Sequence, residues 1–230
     1  PRGANGKRRR KSVYVPGRKA DAERKLREIL GSLDKGLPLS VDKRTVAEYL
    51  FEWHTSYVIP NTRPRTAERY MGDIRNHLAA RLGHLRLTRL SPAEIQTMEA
   101  DMLARGLSPS SVRHAHRVLS QSLKHAVEKG LIWHNPCSAV RPPRHLRSES
   151  SVPDVETVHK LLWLSKETLY HPVFQFLAYT GARRGEACGL MWHDVNLKAG
   201  KVSIQRAAVR VSGQGVMMLP PKTERGRRTI

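Results

Sequence analysis

The sequence predicts a mainly α-helical protein with a small β component towards its C-terminal end. Apolar residues recur at helical spacing through most of positions 43–190, and serine–proline pairs begin several of these segments. Apolar alternation from Lys201 to Leu219, interrupted by the turn Gly213-Gln214-Gly215, indicates short strands. A length of 230 residues leaves room for two or three small domains.

Residues 1–36 form a strongly basic leader in which we predict a strand and a helix. Lys11–Val15 alternates like a short strand, and Ala20–Leu33 has helical apolar spacing. A disordered basic arm fits Pro1–Arg10 about as well.

Residues 37–140 are predicted to form a helical domain, whose helices begin at recognisable start signals. Ser91-Pro92-Ala93-Glu94 is a capping box with proline at the first helical position, and Ser108-Pro109 begins a later helix in the same way. Another helix is expected to begin near Lys43, and one to start at Pro64. We expect the buried positions to be Val46, Leu50, Trp53, His54, Tyr57, Tyr70, Ile74, Leu78, Leu82, Val112, Ala115, Leu119, Leu123, Ala126 and Val127.

Residues 141–151 are rich in proline and serine and suit an extended linker to a third unit, residues 152–230. That unit is predicted to contain helices at Val155–Leu164, Val173–Tyr179 and Glu186–Met191. Strands are predicted at Lys201–Val209 and Val216–Leu219, and the last residues also resemble a strand.

The charge balance indicates a polyanionic partner. Lysine and arginine number 41 against 20 acidic residues, a net charge of +21, and DNA or RNA is the usual partner of such a surface. A merely soluble basic surface is the alternative. An aromatic content of 6% argues against a single-strand binder built on stacking platforms.

Composition also limits the chemistry. Cys137 and Cys188 are the only cysteines, and we expect both to lie in apolar surroundings in a reducing, intracellular setting. The sequence contains no metal-ligand spacing, no glycine-rich phosphate loop and no long apolar run. We therefore expect no metal, no cofactor and no membrane segment.

The most informative segment is Thr180-Gly181-Ala182-Arg183-Arg184-Gly185-Glu186, between two predicted helices. It places Arg183 at a helix start, where backbone N–H groups also favour an anion. Arginine suits phosphate because its planar fork donates two parallel hydrogen bonds and stays charged. Glu186 lies on the same helical face and either orients that guanidinium or caps the helix, whereas Arg184 is expected to be a surface residue or a backbone-phosphate contact.

This segment resembles the first catalytic arginine box of the tyrosine site-specific recombinases, the phage-integrase family. The resemblance implies that Arg183 grips the scissile phosphate, with Thr180, Gly181 and Glu186 in support. It also implies that Lys222, in the Lys-Thr phrase of a hairpin, protonates the leaving 5′ oxygen. A solvated lysine that contacts phosphate as a plain charge is the alternative for Lys222.

The resemblance extends to the domain organisation. Residues 1–36 resemble the tail of an arm-type DNA-binding segment, and residues 37–140, with the exit Gly130–Pro136, resemble the helical core-binding (SAM-like) domain. Residues 152–230 resemble the N-terminal half of the α+β catalytic domain. For residues 37–140, any small helical bundle is the alternative.

The family nucleophile is a tyrosine downstream of these groups, and all six tyrosines of this chain precede Arg183. We therefore expect a fragment that binds duplex DNA without cleaving it. The complete enzyme is implied to break and rejoin DNA without a cofactor, through a 3′-phosphotyrosine, as a cytoplasmic homotetramer on DNA. A non-enzymatic DNA-binding protein, such as a decayed integrase, is the main alternative, and an RNA-binding protein is a weaker one.

Basic residues outside the arginine box are expected to hold the DNA backbone. His114-Ala115-His116-Arg117 spells the family's His-x-x-Arg, but it lies upstream of Arg183, so we interpret it as a basic helix face near DNA. The expected DNA contacts are Arg8, Arg9, Arg10, Lys11, Arg65, Arg69, Arg113, Arg117, Arg184, Arg227 and Arg228.

Overall fold

The computed structural model describes residues 18–34, 43–144 and 151–230. The predicted strand Lys11–Val15 and the predicted contacts Arg8, Arg9, Arg10 and Lys11 lie outside these ranges. Helix α1 spans Lys19–Asp34 and confirms the helix predicted there.

The described chain is mainly helical with few strands, which confirms the predicted fold class. It divides into two compact units, one formed by the residues up to Trp53 with Asp73–Pro143, the other by His54–Gly72 with Arg144–Ile230. The predicted domain boundaries at residues 36, 140 and 151 stay a prediction. None of the described helices combines the length and apolar character that a membrane span requires.

The first unit is a set of helices around one apolar core. Most of the predicted apolar positions are fully buried, as helical periodicity requires, and Trp53 packs edge-on against His125 with 6.0 Å between ring centroids. The main elements of this unit are α2 (Val46–Trp53), a π-helical segment (Ile74–Ala79), α5 (Ala80–Leu82), α6 (Pro92–Ala104) and α7 (Pro109–Glu128).

Helix starts in this unit follow their capping residues. Helix α2 begins at Val46 and not near Lys43, because Thr45 and Glu48 exchange hydrogen bonds at its start: the Thr45 amide donates to the Glu48 carboxylate at 2.7 Å and the Glu48 amide to the Thr45 hydroxyl at 3.2 Å. At Ser91 the glutamate half of the predicted box is present, since Glu94 accepts from the Ser91 amide at 2.7 Å. Both starts are set by local side chain–backbone bonds.

The interpretation of His114 and His116 as part of a basic helix face is wrong. Their Nδ1 atoms lie 2.6 Å from carboxylate oxygens of Asp73 and Glu99, and each histidine side chain is only 12% exposed. Polar groups buried in this way need partners, and the partners come from neighbouring helical segments. Of this motif, only Arg117 keeps an exposed side chain.

The two cysteines differ in environment. Cys137 is buried as expected, and burial raises the pKa of its thiol to about 12, so the thiol stays protonated. Cys188 is exposed, which corrects the expectation of an apolar setting. It lies in the turn that follows the short helix Arg184–Ala187.

The second unit combines helices with two small antiparallel sheets. One sheet has three strands and the other is a two-stranded hairpin, with Gly213 in its turn and Gly215 at the start of its second strand, both at positive φ. Its main elements are α3 (Ile59–Asn61), α4 (Pro64–Asp73, its last residue in the first unit), α8 (Val155–Leu164), α9 (His171–Thr180), α10 (Arg184–Ala187), β1 (Val195–Asn196), β2 (Lys201–Ile204), β3 (Ala207–Val211), β4 (Gly215–Leu219) and β5 (Arg228–Thr229).

The strand predicted at Lys201–Val209 is two strands in different sheets. β2 pairs with β1 and β5, whereas β3 pairs with β4, and the break falls at Gln205 and Arg206. The Arg206 guanidinium donates to the buried carboxylate of Asp194, which fixes the chain at the break. This contact joins residues 12 apart, so apolar alternation alone does not reveal it.

Two further predictions in this unit need correction. The helix predicted at Glu186–Met191 is the single turn α10, which ends at Ala187, and Gly189 beyond it lies close to the backbone of Ala207. Lys222 does not lie in a hairpin between paired strands, since β4 and β5 belong to different sheets. It lies in the loop that joins them.

The hydroxyl of Tyr49 gives a test of the first unit. It donates to the Ser122 carbonyl at 2.6 Å inside the core, and burial raises the pKa of this phenol. We expect Tyr49→Phe to lower the free energy of unfolding by about 1 kcal/mol, because one buried hydrogen bond is lost. Urea unfolding measures the change.

The matched control is Tyr179→Phe, which removes a hydroxyl from a side chain that is 76% exposed and should leave stability unchanged. Equal stability of wild type and Tyr49→Phe would contradict the role assigned to this bond.

Candidate active site

The segment around Arg183 is shaped by the end of one helix and the start of the next. Helix α9 ends at Thr180, and Gly181 follows in the left-handed conformation with φ of 62°. The Thr180 hydroxyl donates to the Phe176 carbonyl and accepts from the Ala182 amide at 3.2 Å. Thr180 and Gly181 thus set the turn that presents Arg183.

Glu186 is the centre of the site, and its carboxylate is only 4% exposed. Oε1 accepts from Arg183 Nη1 at 2.9 Å, and Oε2 accepts from the Arg183 amide at 3.1 Å and from Arg228 Nη2 at 3.0 Å. Glu186 therefore orients the guanidinium and also caps α10. Of the backbone N–H groups at this helix start, which favour an anion, that of Arg183 is occupied by this carboxylate.

The electrostatics of Glu186 follow from these contacts. Burial raises its pKa, but hydrogen bonds from the Arg183 amide and from the side chains of Arg228 and Arg183 outweigh that effect. The pKa of Glu186 consequently lies below its ordinary value, and the group is a carboxylate at neutral pH.

Arg183 itself remains open to solvent, with 78% of its side chain exposed. A guanidinium has five N–H donors, so a fork tied to Glu186 through Nη1 keeps further donors for another acceptor. The neighbouring Arg184 is also exposed. Chemically, this is a fixed cation that can receive an oxyanion.

Close backbone packing fixes α10 against strand β3. A Cβ atom at Gly189 would lie 3.0 Å from the Ala207 Cα and from the Ala208 nitrogen, and one at Gly185 would lie 3.1 Å from the Ala208 carbonyl oxygen. The two glycines therefore let helix and strand approach at a distance that a side chain would prevent.

Lys222 is exposed in a loop whose start is held by Arg63. The Arg63 guanidinium donates to the Pro220 carbonyl at 3.2 Å and to the Pro221 carbonyl at 2.9 Å, immediately before Lys222. Pro221 also packs against Gly226 at the end of the same loop. Both ends of the loop are therefore held in place, and the Lys222 amine between them is exposed.

The remaining predicted contacts are distributed over both units. Arg65, Arg69, Arg184 and Arg227 are exposed in the second unit, and Arg113 and Arg117 in the first. Arg65 pairs with Glu68 at 2.7 Å, and Arg113 donates to the Pro143 carbonyl at 3.3 Å. Arg228, in contrast, is 31% exposed and points to Glu186.

A second buried carboxylate in this unit escaped the sequence analysis. Asp194 accepts from the Met191 amide at 2.9 Å and from Arg206, whose Nη2 lies 3.1 Å from His193 Nε2. Burial raises the pKa of Asp194, but hydrogen bonds from the Met191 amide and the Arg206 side chain lower it by more. The pKa of Asp194 therefore lies below its ordinary value. The signal was the spacing Met191-x-x-Asp194, in which an aspartate caps a short turn.

Among residues 18–34, 43–144 and 151–230, histidine, cysteine and acidic side chains form no group of three that could hold an ion.

The comparisons with known proteins agree on one family. Residues 45–102 match the model described as "Phage integrase, N-terminal SAM-like domain". The chain is 25% identical over 218 residues to a tyrosine recombinase XerC-like protein of Caldanaerobacter subterraneus, covering 92% of this chain and 56% of the relative. It is 26% identical over 206 residues to the integrase of Mycobacterium phage L5, covering 86% and 52%. The chain thus spans about half the length of these curated relatives.

Solved structures share the fold. The Tn1549 transposon integrase in complex with a circular intermediate DNA matches with a TM-score of 0.67 at 21% identity, over 81% of this chain and 60% of that one. A lambda integrase tetramer bound to a Holliday junction matches with a TM-score of 0.61 at 17% identity, over 95% and 65%. Together with the arginine box and the helical module before it, these matches show that the chain is similar to tyrosine recombinases and phage integrases over most of its length.

Proposed function

We propose that this chain binds duplex DNA and places Arg183 against a backbone phosphate. The observation that carries the proposal is the exposed Arg183 guanidinium, tied through Nη1 to a carboxylate that is buried and ionised. A cation held in advance costs no reorganisation when a phosphate arrives. The net charge of +21 supports a polyanionic partner.

In the strand exchange of the family, Arg183 would stabilise the charge that develops on the phosphate, and Lys222 would protonate the leaving 5′ oxygen. The role of Lys222 as proton donor is supported by its loop, because Arg63 holds the two residues directly before the lysine. Glu186 supports Arg183, and Thr180 and Gly181 set the turn that presents it.

The covalent step needs a tyrosine, and the 230 residues have none after Arg183. We therefore propose that these residues bind DNA without cleaving it, and that cleavage through a 3′-phosphotyrosine requires a longer protein that supplies the nucleophile. Such a protein would act without a cofactor as a homotetramer on DNA, in the bacterial cytoplasm. The lambda integrase tetramer on a Holliday junction and the bacterial and phage relatives support this proposal.

Binding without cleavage is the first expected outcome. Affinity of the 230-residue chain for a duplex should fall by about 10³-fold between roughly 50 and 200 mM salt, because phosphate contacts release counterions. Fluorescence anisotropy measures the affinity, and a nicked suicide duplex tests for covalent attachment. Salt-independent binding, or a trapped protein–DNA adduct, would each contradict the proposal.

The role of Arg183 predicts a separation of cleavage from binding. In a longer protein that carries the tyrosine, Arg183→Ala should lower the rate of strand cleavage by about 10²- to 10³-fold, because one preorganised donor to the phosphate is lost. Duplex affinity should fall less than about ten-fold, since other cations remain.

Arg184→Ala is the matched control: it removes an equally charged and exposed neighbour, which as a DNA contact affects affinity, and it should leave the cleavage rate at saturating DNA nearly unchanged. Normal cleavage by Arg183→Ala would refute the assignment.

The role of Lys222 predicts rescue by a better leaving group. Lys222→Ala should slow cleavage of ordinary DNA by about 10²-fold or more, because the 5′ oxygen leaves without a proton. A duplex with sulfur in place of the bridging 5′ oxygen should be cleaved at close to the wild-type rate, since a thiolate leaves unprotonated.

The same substrate should not rescue Arg183→Ala, which acts on the phosphate itself. If sulfur failed to rescue Lys222→Ala, the lysine would be a plain phosphate contact.

A further inference from the structure

Two adjacent arginines near the end of the chain have different surroundings. Arg227 is exposed, whereas Arg228 is 31% exposed and donates through Nη2 to Glu186 Oε2 at 3.0 Å. Both were predicted as DNA contacts from sequence. Only Arg227 presents its side chain to solvent in the way that such a contact requires.

Arg228 is fixed by its backbone as well as by its side chain. It lies in β5, where it pairs with Ile204 of β2, and Ile204 is fully buried. The carboxylate that it binds is on α10, which is packed against β3 through Gly185 and Gly189. Arg228 therefore connects one sheet to the turn that carries Arg183.

The charges of this cluster explain why a second arginine matters. Glu186 is a buried carboxylate, and a single arginine would form with it a pair with no net charge. The carboxylate would then compete with a phosphate for the Arg183 fork. With Arg228 on Oε2, the three groups carry one net positive charge, and Oε1 holds Arg183 without neutralising the site.

We propose that Arg228 is a positioning residue for Arg183, acting through Glu186 and not by contacting DNA. It shares the negative charge of Glu186, so that the Arg183 fork stays exposed and available to an oxyanion. This inference rests on the proposed function of Arg183 as a phosphate ligand.

The test follows the reactivity of Arg183 in the free 230-residue chain. Phenylglyoxal modifies accessible guanidinium groups, and the modification of the Arg183 peptide is followed by mass spectrometry. Arg228→Gln should slow this modification by about three- to five-fold, because Glu186 then holds the Arg183 fork alone. Arg227→Gln, the matched control, should leave the rate unchanged.

A second substitution removes the carboxylate together with Arg228 and should free the Arg183 guanidinium again. In the double variant Glu186→Gln/Arg228→Gln the carboxylate is gone, so modification of Arg183 should return to the wild-type rate or exceed it. Arg228→Lys, which keeps the charge, should stay within about two-fold of wild type. The double variant also removes the buried carboxylate that loses one of its two arginine partners in Arg228→Gln, so it decides the question if Arg228→Gln alone fails to fold.

Several outcomes would overturn the inference. Arg228→Gln could leave Arg183 reactivity unchanged, or Arg227→Gln could slow it equally. Slow modification in the folded double variant would also count against it, because no carboxylate would then be present to restrain Arg183.

Failure of the proposed function is detected separately. Duplex DNA should protect Arg183 from phenylglyoxal in the wild-type chain, and absence of protection would refute the phosphate role. The effect of Arg228→Gln is measured without DNA, so the two failures are distinguishable.

Discussion

The second unit is organised around the carboxylate of Glu186. A buried negative charge is stable only when its hydrogen-bonding capacity is filled, and here the Arg183 amide, the Arg183 side chain and the Arg228 side chain fill it. These donors come from the turn after α9 and from strand β5. The carboxylate therefore ties the exposed cation to the sheet, and the direction of Arg183 depends on structure well beyond its own turn.

Elements with local signals were predicted correctly. Helices α6 and α7 begin at the serine–proline pairs that predicted them, because a cap involves residues within one turn. The same kind of signal at Thr45 and Glu48 was present and overlooked, which misplaced the start of α2 by three residues. Elements that depend on distant partners were missed, and the break between β2 and β3 is the clearest example.

In the candidate site, too, contacts between residues close in sequence were predictable and contacts between distant residues were not. The link between Arg183 and Glu186 spans three residues and could be proposed from the sequence. Arg228 lies 42 positions from Glu186, so its basic surroundings suggested a DNA contact and gave no sign of the carboxylate. His114 and His116 misled for the same reason, since Asp73 and Glu99 lie 41 and 17 positions away. Charge patterns identify what a residue can do, whereas packing determines whether it faces solvent.

The close contact of α10 with β3 has a consequence for how this region can vary. Gly185 and Gly189 are not among the described glycines at positive φ, so what these positions require is space and not unusual backbone torsion. An added methyl group at Gly189 would wedge helix and strand apart by some tenths of an ångström. Arg183 lies six positions earlier, directly before α10, and would shift with that helix. The direction of the Arg183 guanidinium thus depends on Gly189, a residue that has no side chain.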